Sequence, residues 1–264
     1  MQGRVLIVAG SDSGGGAGIQ ADIKTVTALG GFAMTAVTAL TAQSTLGVFG
    51  VHPVPAAFVA QQMEIVLDDL GADAIKTGML HDAEVIEAVA RVLADRAPAV
   101  PLIVDPVMVA KGGASLLERS AKDALVEQLF PLATLITPNL PEAEALLGRR
   151  VADVVAMREA ARELQSMGPA AVLVKGGHLE GDTLTDVLRT AAGEEVLIAG
   201  MRIPTRSTHG TGCTLASAIA TGLAQGLTLP VAVEQARAYL VEAIRTAPAL
   251  GHGHGPLNHA HTLR

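Results

Sequence analysis

Short apolar runs alternate with longer segments of helical periodicity along the first two thirds of the chain. The apolar runs have the length of strands and lie at 5–9, 32–40, 74–77, 102–105, 135–137 and 171–175. Between them, apolar residues recur every three or four positions, which predicts helices at 19–29, 56–70, 82–93, 121–129, from 142 onward and at 151–167. Because strands buried on both faces are apolar throughout, this alternation predicts an α/β fold with a mostly parallel sheet.

The last third of the chain departs from this alternation. Two short strand patterns at 186–188 and 196–198 flank a turn at Gly193 and predict a hairpin at a sheet edge. Helices are predicted at 214–224 and 230–247. With 264 residues and no stretch of linker composition, the chain is expected to form one domain over residues 1–264.

The amino-acid composition excludes some kinds of binding partner. Half of the residues are hydrophobic, but only 2% are aromatic. The net charge is -7, and the sequence contains no cluster of Lys and Arg. These features argue against a nucleic-acid partner and favour a small-molecule ligand. No run reaches the ~18 apolar residues of a membrane span, and a single cysteine, Cys213, excludes an internal disulfide. We therefore expect a cytoplasmic protein without a membrane partner.

The segment 207–214, STHGTGCT, joins a glycine-rich turn to an apolar helix. Gly210 and Gly212 permit a tight turn and a close approach of the backbone to a ligand. The first amides of the helix have no internal partner, so they and the positive end of the helix dipole predict an anion site that suits a phosphoryl group. An ordinary glycine turn before a helix fits the same eight residues.

Two further segments predict a pocket for a small ring. The loop at 10–18, GSDSGGGAG, matches neither the P-loop nor the dinucleotide-binding pattern, and its glycines allow a ring to lie close to the backbone. Gln43 follows the second predicted strand at its carboxyl end, where ligands of open α/β sheets bind. Its amide both donates and accepts hydrogen bonds, which suits an amino-substituted heterocycle, although a solvated loop glutamine is the commoner case.

Single residues at other strand ends add candidate chemistry. Met79 follows the third apolar run and either packs on a flat ring or fills the core. Asp105 ends a buried strand, where a carboxylate is placed either to hold Mg²⁺ through water or to cap a turn. Lys175 ends the last apolar run and is a candidate for a nucleotide phosphate. Asn139 and Glu142 are spaced as a capping box, which spacing alone favours.

The C-terminal segment 251–261 is rich in histidine and contains two His-x-His pairs. Such pairs are a metal-binding pattern, but no cysteine or carboxylate accompanies them, and the flanking glycines give a flexible frame. A physiological metal site is therefore not expected there.

Eight motifs follow one another along nearly the whole chain. They are GSDSGGGAGIQADIKT from Gly10, TAQST from Thr41, KTGML from Lys76, VDPVM from Val104, ITPNLPEAE from Ile136, VKGGH from Val174, STHGTGCT from Ser207 and GHGPLNH from Gly253. In this order they closely resemble the motifs of the hydroxymethylpyrimidine/phosphomethylpyrimidine kinases, thiamine-biosynthesis enzymes of the ribokinase-like superfamily.

The resemblance implies a three-layer α/β/α fold with a mostly parallel central sheet, a homodimer, and the use of ATP and Mg²⁺. It also implies two phosphorylations, first of the hydroxymethyl group of 4-amino-5-hydroxymethyl-2-methylpyrimidine and then of the resulting monophosphate. It assigns Gln43 to the pyrimidine edge, Asp105 and Glu142 to the Mg²⁺ and phosphate region, and the histidine tail to the neighbourhood of the site. It places Gly10, Ala17, Met79 and Val107 around the pyrimidine ring. It assigns Lys175 and Thr211 to the nucleotide, and Gly210, Thr211 and Gly212 to the anion hole.

Cys213 occupies the position at which many ribokinase-like relatives have the aspartate that takes the acceptor proton. A helix N-terminus and nearby cations are expected to lower the pKa of its thiol and make it the base for the hydroxymethyl step. The second acceptor is an ionised phosphate with no proton to remove, so charge neutralisation should suffice there. Loss of the thiol is therefore expected to slow the first step more than the second.

Other functions stay open at this point. Pyridoxal kinase activity occurs in close relatives, and that reaction also phosphorylates a hydroxymethyl group on a nitrogen heterocycle. A catalytically silent pyrimidine-binding sensor would keep the fold, although Asp105, Glu142 and the segment 210–213 are all present. A sugar kinase fits least, because the predicted pocket lining is mostly apolar. The sequence does not decide whether a loop near 111–113 closes over the site.

Overall fold

The computed structural model describes residues 2–108 and 119–263. The strands are β1 (Arg4–Ala9), β2 (Phe32–Val37), β3 (Ala39–Ser44), β4 (Gly47–Pro53), β5 (Ala74–Thr77), β6 (Leu102–Val104), β7 (Leu135–Ile136), β8 (Ala171–Val174), β9 (Thr183–Arg189) and β10 (Glu195–Met201). The helices are α1 (Gly18–Ala28), α2 (Ala56–Asp69), α3 (Ala83–Arg96), α4 (Arg119–Ala124), α5 (Leu140–Leu147), α6 (Val154–Gln165), α7 (Thr211–Ala224) and α8 (Leu229–Arg245). The loop near 111–113 lies outside the described residues.

The main sheet has eight strands in the order β10-β9-β8-β7-β6-β5-β1-β2. Strands β1, β2 and β5 to β8 are parallel, β9 is antiparallel to β8, and β10 is antiparallel to β9. The mostly parallel α/β sheet and the edge hairpin β9–β10 are thus confirmed. Because each crossover returns the chain to the same end, the carboxyl ends of the parallel strands meet at one edge of the sheet.

Side chains alternate between the two faces of each strand, and this alternation divides the core. Leu6 and Val8 of β1 pack with residues of α2, α3, α5 and α6, whereas Val5 and Ile7 pack with residues of α1, α7 and α8. All four side chains are fully buried. The result is the expected three-layer α/β/α arrangement, with an aliphatic core as the low aromatic content predicts.

The second predicted strand is two strands in different sheets. The sequence predicted one strand over 32–40 and a loop after it, but β2 ends at Val37, and β3 pairs with β4 in a separate antiparallel hairpin. At the junction, the Thr38 hydroxyl donates to the Met79 carbonyl at 2.6 Å and anchors the chain as it leaves the main sheet. After Ala39, β3 alternates exposed and half-buried residues, and most of β4 is exposed, so the hairpin lacks the continuous apolar pattern that marks most of the parallel strands.

Several helix bounds also differ from the predicted ones, among them the end of α3 at Arg96 rather than 93 and the start of α7 at Thr211 rather than 214. Helix α6 begins at Val154 rather than at 151, because the Asp153 side chain accepts the Ala156 N–H at 2.8 Å and caps the helix there. The helix predicted at 121–129 is α4 followed by a π-helical turn, Leu125–Leu129. Within the two described ranges, no helix is long and apolar enough to cross a membrane.

Candidate active site

A cavity of about 1230 Å³ lies where the parallel strands end. The loop after β1, the hairpin β3–β4, the ends of β5, β6 and β8, and the start of α7 contribute to its wall. All residues that the sequence assigned to a site line this cavity: Gly10, Ala17, Gln43, Met79, Asp105, Val107, Glu142, Lys175, Gly210, Thr211, Gly212 and Cys213. The fold therefore gathers into one place candidates from distant parts of the chain.

The carboxylate of Asp12 organises the loop after β1. Its Oδ1 accepts the Gly14 N–H at 2.8 Å, and its Oδ2 accepts the N–H groups of Gly16 at 2.9 Å and Ala17 at 2.8 Å. Burial opposes ionisation of Asp12, but a hydrogen bond from His209 and these amide bonds outweigh it and hold its pKa below the usual range. Three amides thus converge on one anion and hold the glycine-rich loop in shape.

His209 links this loop to the hairpin. Its Nε2 lies 2.8 Å from Asp12 Oδ2 and 3.3 Å from Gln43 Nε2. On the other side, the Thr41 hydroxyl donates to Gln43 Oε1 at 3.2 Å. Gln43 was predicted in a loop, but it lies in β3 and is half-buried, with its Oε1 beside the Thr41 hydroxyl and its Nε2 beside His209. Sequence reasoning missed Asp12 and His209 as site residues; the Asp-Ser-Gly-Gly pattern at 12 was the available signal.

Met79 and Val107 are partly exposed where they line the cavity. The sequence left open whether Met79 fills the core or faces a ligand, and its position shows that it faces the cavity. Together with Ala9 and Ala17, these side chains give this part of the cavity an apolar wall.

Helix α7 begins at the cavity. Its N-cap is Gly210 in the left-handed conformation (φ 82°), without a side-chain cap, so within the described part of the chain the amides at 211–213 have neither an intrahelical acceptor nor one from the N-cap side chain. Gly212 lets two charged groups approach closely, because a Cβ there would lie 3.3 Å from Asp105 Oδ2 and 3.4 Å from Lys175 Nζ. A helix N-terminus beside an ammonium group is an arrangement that suits a phosphoryl group.

Asp105 and Lys175 form the charged centre of the cavity. Lys175 Nζ donates to Asp105 Oδ1 at 2.9 Å, and the Thr137 hydroxyl donates to the same oxygen at 2.9 Å. Burial disfavours the charged form of Asp105, but the ammonium groups of Lys175 and Lys76 outweigh it and keep the pKa of Asp105 below its usual range. Both members of the pair are therefore ionised near neutral pH.

Glu142 takes part in two arrangements. Its backbone N–H donates to Asn139 Oδ1 at 2.9 Å, and its Oε2 accepts the Asn139 N–H at 2.7 Å, so the capping box is confirmed. The same Oε2 lies 3.9 Å from Lys175 Nζ. Burial raises the pKa of Glu142 to about 7, although Lys175 opposes this. The assignment of Glu142 to Mg²⁺ stays a prediction.

Cys213 lies in the first turn of α7 and is partly exposed to the cavity. The expectation of a lowered thiol pKa was wrong. Burial raises the pKa of Cys213 to about 11, although the Lys76 ammonium opposes this effect. A helix end and nearby cations favour the thiolate, but the loss of solvent around the sulfur, which depends on the packing of the fold, outweighs them.

A buried ion pair joins three elements near the cavity. Lys76 Nζ on β5 donates to the Asp22 carboxylate oxygens on α1, at 2.9 and 3.0 Å, and Ser217 Oγ on α7 donates to Asp22 Oδ1 at 2.7 Å. All three side chains are 0% exposed. No role was predicted for them, although a lysine within an apolar strand is a signal that a buried partner exists.

The histidine tail packs against the hairpin and the start of α7. The His254 N–H donates to the Thr45 carbonyl at 2.9 Å, and the His209 N–H donates to the Gly255 carbonyl at 3.0 Å. His254 also lines the cavity, so the tail does lie near the site. Across residues 2–108 and 119–263, no group of three His, Cys, Asp or Glu side chains is arranged to hold a metal ion.

The cavity continues between β10 and α8, a region that sequence reasoning missed. Apolar residues of β10 line it together with polar residues of α8 and of the loop after β10: Arg202, Thr205, Glu234, Arg237 and Arg245. Arg237 is held by Asp186, with 2.9 Å between Nη1 and Oδ2. An edge strand and an amphipathic helix carry polar residues wherever they face water, so their pattern did not distinguish a binding wall from a solvent face.

Comparisons with known proteins agree with one another. A family profile described as phosphomethylpyrimidine kinase matches residues 12–258. The thiamine biosynthesis bifunctional protein ThiED of Geobacter sulfurreducens is 55% identical over 258 residues, which are 98% of this chain and 52% of that protein. The chain thus spans about half of that protein's length. The hydroxymethylpyrimidine/phosphomethylpyrimidine kinase of Haemophilus influenzae is 47% identical over 97% of this chain and 96% of its own length.

Solved structures show the same fold. A phosphomethylpyrimidine kinase from Clostridium difficile has a TM-score of 0.80 at 41% identity, over 91% of this chain and 99% of that chain. The pyridoxal kinase of Bacillus subtilis, solved as an ADP complex, has a TM-score of 0.90 at 34% identity, over 98% of both chains. With its mostly parallel three-layer fold and the profile match over residues 12–258, the chain belongs to the phosphomethylpyrimidine kinase family.

Proposed function

We propose that this chain uses ATP and Mg²⁺ to phosphorylate 4-amino-5-hydroxymethyl-2-methylpyrimidine to its monophosphate and then to its diphosphate, in thiamine biosynthesis. One observation carries the proposal: a single cavity contains the Gln43 amide, the amides at the start of α7, and Lys175. They offer a hydrogen-bonding edge for a heterocycle, an anion site and a cation for phosphate. A cytoplasmic location stays a prediction.

The pyrimidine ring is proposed to lie against Gly10, Ala17, Met79 and Val107. The Gln43 amide offers one donor and one acceptor, which match the ring nitrogen and the 4-amino group on one edge of the substrate. Apolar side chains and a methionine pack on ring faces without competing for those hydrogen bonds. The hydroxymethyl group would then be directed along the cavity toward Cys213.

In the first reaction, the substrate hydroxyl gives its proton to the Cys213 thiolate while its oxygen forms a bond to the γ-phosphorus of ATP. The bond from that phosphorus to the β,γ-bridging oxygen breaks, and ADP leaves with the electron pair. Because the pKa of the thiol is raised to about 11, little thiolate is present near neutral pH. This reaction is therefore expected to accelerate as the pH rises.

The amides at 211–213 and the Lys175 ammonium are proposed to neutralise charge on the transferring group. Mg²⁺ fits beside them, since Asp105 and Glu142 present carboxylates at the cavity wall and this ion is commonly held by one or two carboxylates with substrate phosphates and water. When bound, Mg²⁺ supplies further neutralisation of the phosphate oxygens.

The second reaction has a different requirement. Its acceptor is the monophosphate, whose oxygens are already ionised, so no proton has to reach Cys213. The anion site at 210–212 and Lys175 then need only to bring two phosphate groups together and offset their repulsion. One cavity can therefore carry out both steps with different use of the same residues.

A homodimer is proposed through the hairpin β3–β4. Phe49 is 74% exposed and Leu46 is 64% exposed, and Leu40 and Val51 of the same hairpin are also exposed. Apolar exposure of this extent on one element favours a protein interface. A second copy of the chain is the proposed occupant, in accord with the family resemblance. Because Gln43 lies on β3, dimerisation would also stabilise the strand that carries the pyrimidine-binding amide.

The proposal is tested by ADP release from Mg²⁺ATP with hydroxymethylpyrimidine, its monophosphate and pyridoxal in separate reactions. Pyridoxal is included because the similar Bacillus subtilis structure is a pyridoxal kinase. Turnover of the first two well above that of pyridoxal is expected. Turnover of pyridoxal alone would overturn the substrate assignment, and nucleotide binding without turnover would indicate a silent sensor.

Two lysine variants control for a contaminating kinase. Lys175→Met removes the ammonium group from the charged centre and should abolish ADP release with each accepted substrate. Lys122→Met changes a lysine on α4 that does not line the cavity and should leave turnover unchanged. Activity that persisted in Lys175→Met would not belong to this cavity.

A further inference from the structure

The Lys76 side chain is a buried charged group that the proposed reaction does not use. It is 0% exposed to solvent, yet it lines the same cavity as Cys213. Burial of an ammonium group in an apolar strand is costly even when it is paired, and an apolar residue would serve packing better. The position of this charge therefore calls for a functional explanation.

The ion pair of Lys76 and Asp22 contacts α7 one turn after the thiol. Ser217 Oγ donates to Asp22 Oδ1 at 2.7 Å, and Ser217 follows Cys213 by four positions in α7. Residues at this spacing lie on the same face of a helix. Since Asp22 accepts two hydrogen bonds from Lys76, the ammonium group lies next to the helix face that presents the sulfur.

The other charged groups around Cys213 come from the remaining elements of the site. Asp105 follows β6 and is neutralised by Lys175, which follows β8, at 2.9 Å. A hydrogen bond from the Gly18 N–H at the start of α1 lowers the pKa of the thiol. The Lys76 ammonium group also lowers this pKa, whereas the Asp22 and Asp105 carboxylates raise it.

We propose that Lys76 is a positioning residue for phosphoryl transfer: its buried charge favours the thiolate of Cys213, while Asp22 and Ser217 hold that charge in place. This inference rests on the proposed role of Cys213 as the base. A buried cation suits this role because water does not screen it, whereas a surface lysine at the same distance would act through a high dielectric. The carboxylates of Asp22 and Asp105 both raise the pKa of Lys76 against the effect of burial, so its charge persists over the working pH range and does not depend on Asp22 alone.

The test uses alkylation of Cys213 by iodoacetamide, which needs neither substrate nor ATP. Cys213 is the sole cysteine of the chain, so the reaction rate reports the thiolate at one site. Asp22→Asn retains the Lys76 charge, and the double variant Lys76→Met/Asp22→Asn removes it, so the two proteins differ at position 76 alone. Between pH 7 and 9, the double variant should react at least about fivefold more slowly than Asp22→Asn.

Equal rates in these two variants would overturn the inference. Asp22→Asn should also react about threefold faster than the unmodified protein, because it loses a carboxylate that opposes the thiolate. If thermal unfolding shows that the double variant does not fold, the comparison of Asp22→Asn with the unmodified protein decides. An alkylation rate of Asp22→Asn equal to or below that of the unmodified protein would then contradict the proposal.

Ser217→Ala separates charge from packing. It keeps both charges and removes only one hydrogen bond to Asp22, so the alkylation rate should change by less than about twofold. A loss as large as that of the double variant would show that the network acts by packing, and the inference would fail. If alkylation behaves as expected but Cys213→Ala leaves both phosphorylations unchanged, the base role of Cys213 fails while the charge effect of Lys76 stands.

Discussion

Gly210 packs against the carbonyl oxygen of Gly16 so closely that a Cβ at position 210 would overlap that oxygen. Gly210 is the N-cap of α7 and has a φ of 82°, and Gly16 belongs to the loop held by Asp12. The anion site and the loop after β1 are therefore in direct contact. A change in either backbone has to move the other.

Gly210→Ala should reduce ADP release by about 100-fold, since the new methyl group displaces the amides of the anion site from their positions. Gly226→Ala is the matched control, because Gly226 has a φ of 85° and a Cβ at that position would meet no atom of residues 2–108 and 119–263 within 4 Å. Both variants should lose about 1 kcal/mol of stability from the left-handed conformation, and Gly210→Ala should lose more because its Cβ overlaps the Gly16 carbonyl oxygen. Equal activities of the two variants, measured at a temperature at which both are folded, would contradict this prediction.

Cys213→Ala should slow phosphorylation of the hydroxymethyl group by about 100-fold or more, as expected for the loss of a general base. Phosphorylation of the monophosphate should change only a few-fold. Single-turnover rates with each acceptor measure this difference. Below the thiol pKa of about 11, the first rate should also rise with pH in the unmodified protein and not in the variant. Equal losses in both steps would exclude the base role.

Gln43→Ala should raise the KM for hydroxymethylpyrimidine by about tenfold or more, because the polar edge of the buried ring loses its partners. The KM for ATP should not change, since the residues assigned to the nucleotide are Lys175 and Thr211 and not Gln43. Gln225→Ala removes an amide at the end of α7 that does not line the cavity and serves as the control. An equal rise in both KM values would indicate general disruption instead.

Phe49→Glu should convert the proposed dimer into a monomer, because a charge at the centre of an apolar interface remains without a partner when buried. Val155→Glu is a suitable control, since Val155 is 66% exposed on α6, outside the hairpin. Light scattering gives the mass of each protein in solution. A monomeric unmodified protein, or a dimeric Phe49→Glu, would contradict the proposed interface.

His259 should make stability depend on pH. Its side chain is buried, with Nε2 at 3.0 Å from Thr214 Oγ1, and burial lowers its pKa to about 4. In the unfolded chain histidine takes up its proton near pH 6.5, so the stabilisation is complete above that pH and is lost as the pH falls toward 4. The expected loss is about 3 kcal/mol.

His259→Gln should remove this part of the pH dependence, because a glutamine can still accept the Thr214 hydroxyl and does not titrate. Urea unfolding at pH 7 and pH 4.5 gives the difference in the free energy of unfolding. His52→Gln changes an exposed histidine and should leave the dependence intact. The same acid loss in His259→Gln as in the unmodified protein would refute the assignment.

Local sequence patterns were enough to predict the α/β class, six parallel strands and the strand ends at which Asp105 and Lys175 stand. Apolar runs of strand length between amphipathic helices have few other solutions, and the carboxyl ends of parallel strands must meet. The motif at 207–214 likewise identified the helix N-terminus, because glycines before an apolar helix are a local signal. The capping box at Asn139 and Glu142 could be predicted for the same reason.

The packing of the whole fold determines which side chains from distant parts of the sequence are in contact and how much solvent they lose. The hairpin β3–β4 forms a sheet separate from the main one, and His209 lies between Asp12 and Gln43. Lys76 on β5 pairs with Asp22 on α1. The pKa of Cys213 moved opposite to the expected direction for the same reason. A helix end and a cation are visible in a sequence, but desolvation depends on every atom that the fold packs around the sulfur.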